Sequence, residues 1–270
     1  MLPESPPARR AAPQAVAGRV LLVGAGPGAV DLLTLRAVRA LEQADVVVHD
    51  GLVSPEIMAL VPPRARRISV AKRRARHTLS QPAIGDLLVA EAQAGHVVVR
   101  LKGGDPFIFG RGGEEVDACN AAGVAVEVVP GISSAQGAAA ATHMPLTHRD
   151  HASIVSFVAG ECRGLAQQNW VGLAGPGRTL VIYMGLQGAE QIADKLIADG
   201  LTPETPVAVI ERATQASQRL FRTLLADLAG VIARAEVVSP ALIIIGQVAT
   251  LGLPDTILTQ IAEAAPCPMS

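Results

Sequence analysis

The chain has 270 residues, of which 50% are hydrophobic and 2% aromatic, and its formal net charge is −1. This balance excludes a general electrostatic attraction to nucleic acid or to an anionic membrane, and no apolar run approaches the roughly 20 residues of a membrane-spanning helix. The three cysteines, Cys119, Cys162 and Cys267, are widely spaced. They form neither a disulfide framework nor a zinc pattern, which predicts a reducing, cytoplasmic location.

The first 17 residues are rich in proline, alanine and arginine and contain no apolar stretch. They predict a disordered leader rather than a secretory signal, and their prolines disfavour the amphipathic helix of a transit peptide. The rest of the sequence is divided into an N-terminal α/β domain with a parallel sheet at 18–133, a C-terminal α/β domain at 134–257 and a tail at 258–270.

In the first domain, apolar runs alternate with helical patterns. The predicted strands are Val20–Val23, Ala44–His49, Ile68–Val70, Val97–Leu101 and Val126–Val129. The predicted helices are Leu32–Leu41, a segment that begins at Ser54-Pro55, Ile84–Ala94 and Gly113–Ala122. Such alternation with short connections is typical of a parallel α/β sheet, in which ligands bind beyond the carboxyl ends of the strands. We therefore expect the loops that follow these strands to converge on one cleft.

The second domain has the same general texture. Its predicted strands are Ser153–Val158, Thr179–Tyr183, Pro206–Ile210 and Ala241–Ile245. Its predicted helices are Gly188–Gly200 and Leu224–Ala235, and a helix of small residues at Ser134–Ala141 bridges the two domains. The fold class predicted from the whole pattern is α/β, with two α/β domains.

A tight glycine loop follows the first strand. Gly24–Ala29 fits the dinucleotide fingerprint G-x-G-x-x-G/A, and Asp50 ends the next strand about where a ribose-binding acid would stand. Pro27 argues against this interpretation, because proline lacks the N–H that a bound pyrophosphate would need. At this point an NAD site and a turn required only for packing both remain open.

A second motif, "RLKGGDPFIFGRGGEE", spans Arg100–Glu115 and follows another predicted strand. Gly103 and Gly104 would let a ligand approach the backbone closely, and Asp105 could accept hydrogen bonds from a pair of hydroxyls or from an amine. A carboxylate here suits a cationic cofactor better than a phosphate. The alternative is a turn followed by a capped helix.

Together with "VGAGPG", "DLLTLRA", "VVPGISS", "PLTHRD", "VIYMGL" and "SPALIIIG", this motif resembles the uroporphyrinogen-III C-methyltransferases of the tetrapyrrole methylase family. The resemblance runs in order from about Val20 to Val248. It implies the two-domain fold of the class III methyltransferases, with S-adenosylmethionine bound in a cleft between the domains and no metal. The fit of the first glycine loop to the dinucleotide fingerprint would then be accidental.

The resemblance also implies roles for individual residues. The residues implied to contact the cofactor are Pro27, Gly103, Gly104, Asp105, Ile108, Ser133, Ser134, Met184, Ala213 and Ala241. Asp50 occupies the position of the catalytic base, and Lys72 that of a lysine linked to proton donation or substrate binding. Arg111 is a candidate for binding a substrate carboxylate. The alternatives are a strand-end turn for Asp50 and a solvated surface charge for Lys72.

Several positions depart from the family pattern. His49 and Gly51, which flank Asp50, stand where the family usually has Tyr and Arg, and Ala71 and Ala213 replace common glycines. Ala159-Gly160-Glu161 replaces a usual Thr-Gly-His. These departures affect the expected substrate contacts more than the cofactor site.

The resemblance implies two methyl transfers to uroporphyrinogen III, through precorrin-1 to precorrin-2, in cobalamin, sirohaem or haem d1 biosynthesis. It also implies a homodimer, and we expect neither a nucleic-acid nor a membrane partner. Three alternatives stay open: a sister methylase acting on a later corrin intermediate, an NAD-dependent oxidoreductase and a nucleic-acid-binding module. The last would use the basic residues between Arg64 and Arg76, although aromatic residues for base stacking are absent there.

Overall fold

The computed structural model describes residues 18–71, 79–160 and 169–252. Within these ranges the chain forms two five-stranded sheets with helices on their faces, so the predicted α/β class is confirmed. The leader, the tail and Lys72 lie outside the described residues. The predicted domain boundaries stay a prediction.

The first sheet contains β1 (Arg19–Gly24), β2 (Val46–His49), β3 (Arg66–Ser69), β4 (Val97–Lys102) and β5 (Ala125–Val129). All of its strand pairs are parallel, and the strand order is β3-β2-β4-β1-β5. β1 and β4 are buried along almost their whole length, as expected for strands covered on both faces. From β1 the chain continues to β2 and β3 on one side of the sheet, and from β4 it crosses β1 to reach β5 on the other side. The crevice between β1 and β4, where the direction of the connections reverses, is therefore the expected position of a ligand.

The helices of this half are α1 (Leu35–Glu42), α2 (Pro55–Ala59), α3 (Gln81–Gln93) and α4 (Gly112–Ala121). Thr34, Ser54 and Ser80 each cap a helix by accepting a hydrogen bond from the backbone N–H three residues later. Hydroxyl side chains at this position satisfy a helical N–H that has no partner within the helix. The predicted start of a helix at Ser54-Pro55 is thus confirmed.

The second half begins with α5 (Ser134–Thr142) and contains a mixed sheet. The remaining elements are β6 (Ala152–Ala159), β7 (Gly177–Tyr183), α6 (Ala189–Ala198), β8 (Pro206–Glu211), β9 (Arg219–Leu224), α7 (Leu228–Arg234) and β10 (Ala241–Ile245). The strand order is β6-β7-β10-β8-β9. β6 and β7 are parallel, whereas β10 runs antiparallel to both β7 and β8, and β9 is antiparallel to β8.

One sequence prediction in this half is wrong. The helix predicted at Leu224–Ala235 begins only at Leu228, after a 3-10 turn at Leu225–Asp227, and the strand β9 precedes it. β9 lies at the edge of the sheet, and its side chains are mostly half-buried rather than alternately buried and exposed. An edge strand of this kind lacks the period-2 pattern from which strands are predicted.

Apolar side chains cover both faces of each sheet. In the first half, one cluster packs α1 and α2 against the sheet and another packs α3 and α4 against the opposite face. In the second half, α6 and α7 cover one face, while α5 and the segment around Met144 cover the other. Within the described ranges, no helix has the length and apolar character needed to cross a membrane.

Candidate active site

Four glycines mark the point where the loops after β1, β4 and β5 cross. Gly26 and Gly104 exchange backbone hydrogen bonds of 3.1 and 2.7 Å. A Cβ at Gly131 would lie 2.3 Å from the Gly104 carbonyl oxygen, and a Cβ at Gly24 would lie 2.6 Å from the Gly131 nitrogen. No other residue fits such backbone contacts. The loops after β1, β4 and β5 therefore converge, as the alternation of strands and helices in the sequence predicted.

Three backbone N–H groups of the first loop have partners within the protein. Ala25 donates to the Lys102 carbonyl at 2.7 Å, and Gly26 donates to Gly104. Ala29 donates to Thr214 Oγ1 at 3.1 Å, and Pro27 has no N–H. A pyrophosphate cradle needs these donors free. The loop is therefore a crossing point between chain segments, and its fit to the dinucleotide fingerprint does not carry an NAD site.

Asp105 ties two of the crossing loops together. Its Oδ1 accepts a hydrogen bond from Phe107 N at 2.8 Å, and its Oδ2 accepts one from Gly131 N at 3.1 Å. The carboxylate thus orders its own turn and holds the loop after β5 in place. A carboxylate oxygen can accept more than one hydrogen bond, so these contacts are compatible with the predicted contact to a ligand.

A cleft of about 190 Å³ lies between the two halves of the molecule. Its walls bring together five of the predicted cofactor residues, Pro27, Ser134, Met184, Ala213 and Ala241. They come from the first loop of one half and from α5 and the strand ends of the other. The remaining lining residues are Leu52, Tyr183, Ile210, Arg212, Ser239, Pro240 and Leu242.

The other predicted cofactor residues are not among those that line the cleft. A Cβ at Gly103 would lie 2.7 Å from Leu52 Cβ, so Gly103 backs a residue of the cleft wall. Ser133 is buried and caps α5, where its hydroxyl accepts from Gln136 N while the Gln136 side chain accepts from Ser133 N. Ile108 is exposed. Direct cofactor contacts by these residues stay predictions.

The cleft also contains residues that the sequence analysis missed. The Tyr183 hydroxyl accepts a hydrogen bond from Ala135 N at 3.2 Å, and its ring lies 4.8 Å from that of Phe109. Burial of the hydroxyl raises the pKa of Tyr183 above its usual value. The one signal in the sequence was the position of Tyr183 directly before Met184 at a strand end.

Left-handed backbone at non-glycine residues marks the C-terminal wall of the cleft. Met184 follows β7 with φ +54°, and Arg212 and Thr214 follow β8 with φ +47° and +69°. Such conformations are sparsely populated and persist where the surrounding structure fixes them. At Thr214 the constraint includes the hydrogen bond from Ala29, which joins the two halves across the cleft.

Asp50 directly follows β2, at the carboxyl edge of the first sheet. Its Oδ1 accepts a hydrogen bond from Leu52 N at 2.9 Å, which orients the backbone of a residue in the cleft wall. Its Oδ2 lies 4.0 Å from Arg100 Nη2, and the side chain is 25% exposed. Asp50 therefore forms the strand-end turn that was the alternative to its role as a base, and it keeps one carboxylate oxygen beside a cation.

A buried charge cluster lies behind Asp50. Glu115 Oε1 accepts hydrogen bonds from Arg100 Nε at 3.0 Å and Lys102 Nζ at 3.1 Å, and Gln81 Nε2 donates to the same oxygen at 3.2 Å. Arg100, Lys102 and Glu115 are all almost completely buried. Burial, followed by the charge of Arg100, lowers the pKa of Lys102, while Glu115 opposes this shift.

Arg111 is exposed beside the start of α4. Its Nε and Nη2 donate to the two carboxylate oxygens of Glu114, both at 2.8 Å. This bidentate pair raises the pKa of Arg111 and lowers the pKa of Glu114. The predicted binding of a substrate carboxylate would require Arg111 to exchange or share this partner.

Histidine is a common metal ligand, and the rings of His148 and His151 lie with their centroids 4.7 Å apart. His148 Nδ1 accepts a hydrogen bond from Asp150 N at 3.1 Å. Among residues 18–71, 79–160 and 169–252, no group of three or more His, Cys, Asp or Glu side chains is arranged to hold a metal ion.

Comparison with known proteins finds a matching family and similar proteins. The family model described as Tetrapyrrole (Corrin/Porphyrin) Methylases matches residues 19–229. A siroheme synthase from Pseudomonas aeruginosa strain UCBPP-PA14 is 51% identical over 235 residues, which are 87% of this chain and 50% of that protein. The chain therefore spans about half the length of the curated relatives it matches.

Two solved structures are informative. Uroporphyrin-III C-methyltransferase from Thermus thermophilus, in complex with S-adenosylhomocysteine, is 40% identical, with a TM-score of 0.74 over 86% of this chain and 99% of that one. A cobalt precorrin-4 methyltransferase of cobalamin biosynthesis is 27% identical, with a TM-score of 0.77 over 88% of this chain and 98% of that one. The chain belongs to the tetrapyrrole (corrin/porphyrin) methylase family.

Proposed function

We propose that the chain catalyses the S-adenosylmethionine-dependent C-methylation of uroporphyrinogen III. Two methyl transfers, through precorrin-1, would give precorrin-2 for cobalamin, sirohaem or haem d1 biosynthesis, with S-adenosylhomocysteine as the second product. The observation that carries this proposal is the cleft itself, in which Pro27, Ser134, Met184, Ala213 and Ala241 stand together. The likeness to a uroporphyrin-III C-methyltransferase in complex with S-adenosylhomocysteine supports the same assignment.

The residues of the cleft fit this cofactor. The apolar wall formed by Pro27, Met184 and Leu242 suits the adenosyl group, and backbone groups at Ala213 and Ala241 stand at strand ends beside it. At the crossing, a Cβ on Gly131 would lie 2.3 Å from the Gly104 carbonyl oxygen, and Gly104 has φ +69°, so both positions of this crossing beside the cleft favour glycine. When bound, S-adenosylmethionine supplies an electrophilic methyl group on its sulfonium.

Asp50 is the proposed base that removes one proton from the macrocycle. Its carboxylate accepts a hydrogen bond from Leu52 N, and Leu52 belongs to the cleft wall. The Asp50 side chain is one-quarter exposed, so a substrate can reach it. Arg100 Nη2 lies 4.0 Å from Asp50 Oδ2, and a carboxylate at this position can accept a proton from a substrate that it contacts. Arg111 would bind a substrate carboxylate, and Lys72 would assist in proton donation or substrate binding.

We also propose a homodimer located in the cytoplasm, with uroporphyrinogen III as the partner molecule and no nucleic-acid partner. These assignments rest on the family and on the reducing location that the cysteine pattern predicts. A second candidate, methylation of a later corrin intermediate, is favoured by the likeness to a cobalt precorrin-4 methyltransferase. The mass of the methylated product separates the two functions.

The test is an anaerobic incubation with uroporphyrinogen III and S-adenosylmethionine, followed by mass spectrometry. We expect the mass of two added methyl groups from the wild-type chain. Asp50→Asn should lower the rate by about 10²-fold or more, because a positioned general base contributes that much, while the affinity for S-adenosylhomocysteine stays unchanged. Asp86→Asn, which changes an exposed carboxylate on α3, is the matched control and should leave the rate unchanged.

The possible outcomes separate the parts of the proposal. If Asp50→Asn methylates at the wild-type rate, Asp50 is not the base, although the function stands. If the wild-type chain binds S-adenosylhomocysteine but adds no methyl group to uroporphyrinogen III, the substrate assignment is wrong. Addition of a methyl group to a later corrin intermediate would then favour the second candidate.

A further inference from the structure

Arg212 is the only side chain with a formal charge among the described residues that line the cleft. The other lining side chains are apolar or carry a hydroxyl group, and the Arg212 side chain is 34% exposed. In a mostly apolar cleft, a cation interacts more strongly with an anionic ligand group than it does in bulk water. The charge of this wall therefore favours a ligand that presents an anion to Arg212.

The backbone fixes where Arg212 stands. It follows the last residue of β8 with φ +47°, and its N–H donates to the Pro240 carbonyl at 2.9 Å. Pro240 lines the same cleft. A left-handed conformation at a side chain as long as arginine costs free energy, so its presence at this position is a reason to look for a function of Arg212.

Glu211, which precedes Arg212 in the chain, is completely buried. Its Oε1 lies 2.7 Å from Arg212 Nη2. Its Oε2 accepts hydrogen bonds from the Arg219 guanidinium and, at 3.2 Å, from Val238 N. The contact with Arg212 is an ion pair without hydrogen-bond geometry, whereas the other oxygen is hydrogen-bonded to a second arginine.

Arg219 is not among the described residues that line the cleft. Its Nη1 donates to the Ala235 carbonyl at 3.0 Å and its Nη2 to the Glu236 carbonyl at 3.2 Å, and the guanidinium carbon lies 5.1 Å from the centre of the Phe221 ring. Arg219 is therefore a fixed partner that neutralises Glu211. One carboxylate cannot neutralise two guanidinium groups, so the three side chains carry a net positive charge. Arg212, which lines the cleft, can present this charge to a ligand.

We propose that Arg212, paired with Glu211, binds a carboxylate group of a ligand in the cleft. The contact with Glu211 engages one terminal nitrogen, and a guanidinium has five N–H donors in a fork that matches a carboxylate. This inference rests on the proposed function, which brings two sources of carboxylate to the site. One is the amino-acid end of the cofactor, and the other is the acidic side chains of the tetrapyrrole.

The test compares Arg212→Gln with Arg234→Gln, which removes an exposed arginine that pairs with Asp227 on the same half of the molecule. Calorimetry gives the affinity for S-adenosylhomocysteine and for methylthioadenosine, which has the same adenosyl group but no carboxylate. Methylation assays give KM and kcat for uroporphyrinogen III. Loss of a charged hydrogen-bonded contact should weaken the affected constant by about tenfold or more.

Two results support the inference and identify the source. If the cofactor supplies the carboxylate, Arg212→Gln weakens S-adenosylhomocysteine and leaves methylthioadenosine unchanged. If the substrate supplies it, KM for uroporphyrinogen III rises while both calorimetric affinities stay constant. Arg212→Lys should give an intermediate loss in the same constant, because lysine keeps the charge but not the fork.

Two results would overturn it. Equal losses of affinity for S-adenosylhomocysteine and methylthioadenosine mean that Arg212 only shapes the cleft, and constants equal to those of Arg234→Gln mean that it binds no ligand. The proposed function fails separately, in the wild-type chain, if that chain neither binds S-adenosylhomocysteine nor methylates uroporphyrinogen III. A wild-type chain that does both, with an Arg212→Gln variant like the control, contradicts this inference alone.

Discussion

The two halves of the molecule each bury a glutamate beside two cations, but the two clusters differ in their access to water. In the first half, Glu115 lies between Arg100 and Lys102, and their side chains are 4% and 5% exposed. In the second half, Glu211 lies between Arg212 and Arg219, whose side chains are 34% and 41% exposed. The two sets of charges are the same, and only the first set is closed on all sides.

This difference separates two uses of a buried ion pair. The closed cluster joins β4 to α4 and stands behind Asp50, so its charges act on the protein itself. The open cluster pairs Glu211 with Arg212, a residue that lines the cleft and whose side chain is 34% exposed. A buried carboxylate can thus fix the fold in one half of the molecule and present a charge to a ligand in the other.

The largest expected effect is that of Glu115→Gln. Arg100 and Lys102 would stay buried with an amide in place of their carboxylate, and breaking a buried pair in this way costs about 3–5 kcal/mol. Urea denaturation should show this loss in the free energy of unfolding. Asp227→Asn, which breaks an exposed pair with Arg234, is the control and should leave the urea midpoint nearly unchanged. A Glu115 variant as stable as this control would show that the closed cluster does not hold the fold together.

The first half of the fold could be predicted well from the sequence because its signals are local. Each strand of the parallel sheet is a continuous apolar run, as in Val20–Val23, and hydroxyl caps such as Ser54 mark where helices begin. The crossing at Gly24, Gly104 and Gly131 followed from the same pattern, since loops after parallel strands meet at one edge.

The second half was harder to predict because its organisation depends on contacts between distant residues. The antiparallel placement of β10 between β7 and β8 has no local signature, and β9 lacks a clear alternation. In the sequence, Arg212 is marked only by its place after a predicted strand. Its interest comes from φ +47° and from a glutamate that is buried only once the sheet has formed.

A smaller loss is expected for Glu211→Gln. Arg212 can turn toward water in the cleft, and Arg219 keeps its two carbonyl partners. The variant then loses hydrogen bonds to a charged group without isolating a buried cation, which costs about 1–3 kcal/mol. Urea denaturation of both glutamine variants under the same conditions gives the ranking. If Glu211→Gln destabilises the chain as much as Glu115→Gln, the greater exposure of the Glu211 cluster does not reduce its contribution to the free energy of unfolding.

The smallest effect is an alkaline one, which distinguishes the clusters because only the first contains a lysine. Burial and the charge of Arg100 lower the pKa of Lys102 from its ordinary value of 10.5. Between the lowered pKa and 10.5, the unfolded chain holds a proton that the folded chain has released, so the free energy of unfolding rises with pH. Below that window both states are protonated, and Lys102 contributes no pH dependence.

We therefore expect the stability of the wild-type chain, relative to Lys102→Met, to rise as the pH increases through this window. Urea denaturation of the two proteins at a series of alkaline pH values measures the difference, and titrations that they share cancel. Arg212→Met is the matched control, because a guanidinium keeps its proton throughout this range. A difference for Lys102→Met that stays flat or falls with pH would mean that Glu115 stabilises the charged lysine at least as much as burial destabilises it. In the closed cluster, the attraction of Glu115 would then offset the cost of burying the charge of Lys102. The low exposure of this cluster would therefore not distinguish its energetics from those of the cluster at Arg212.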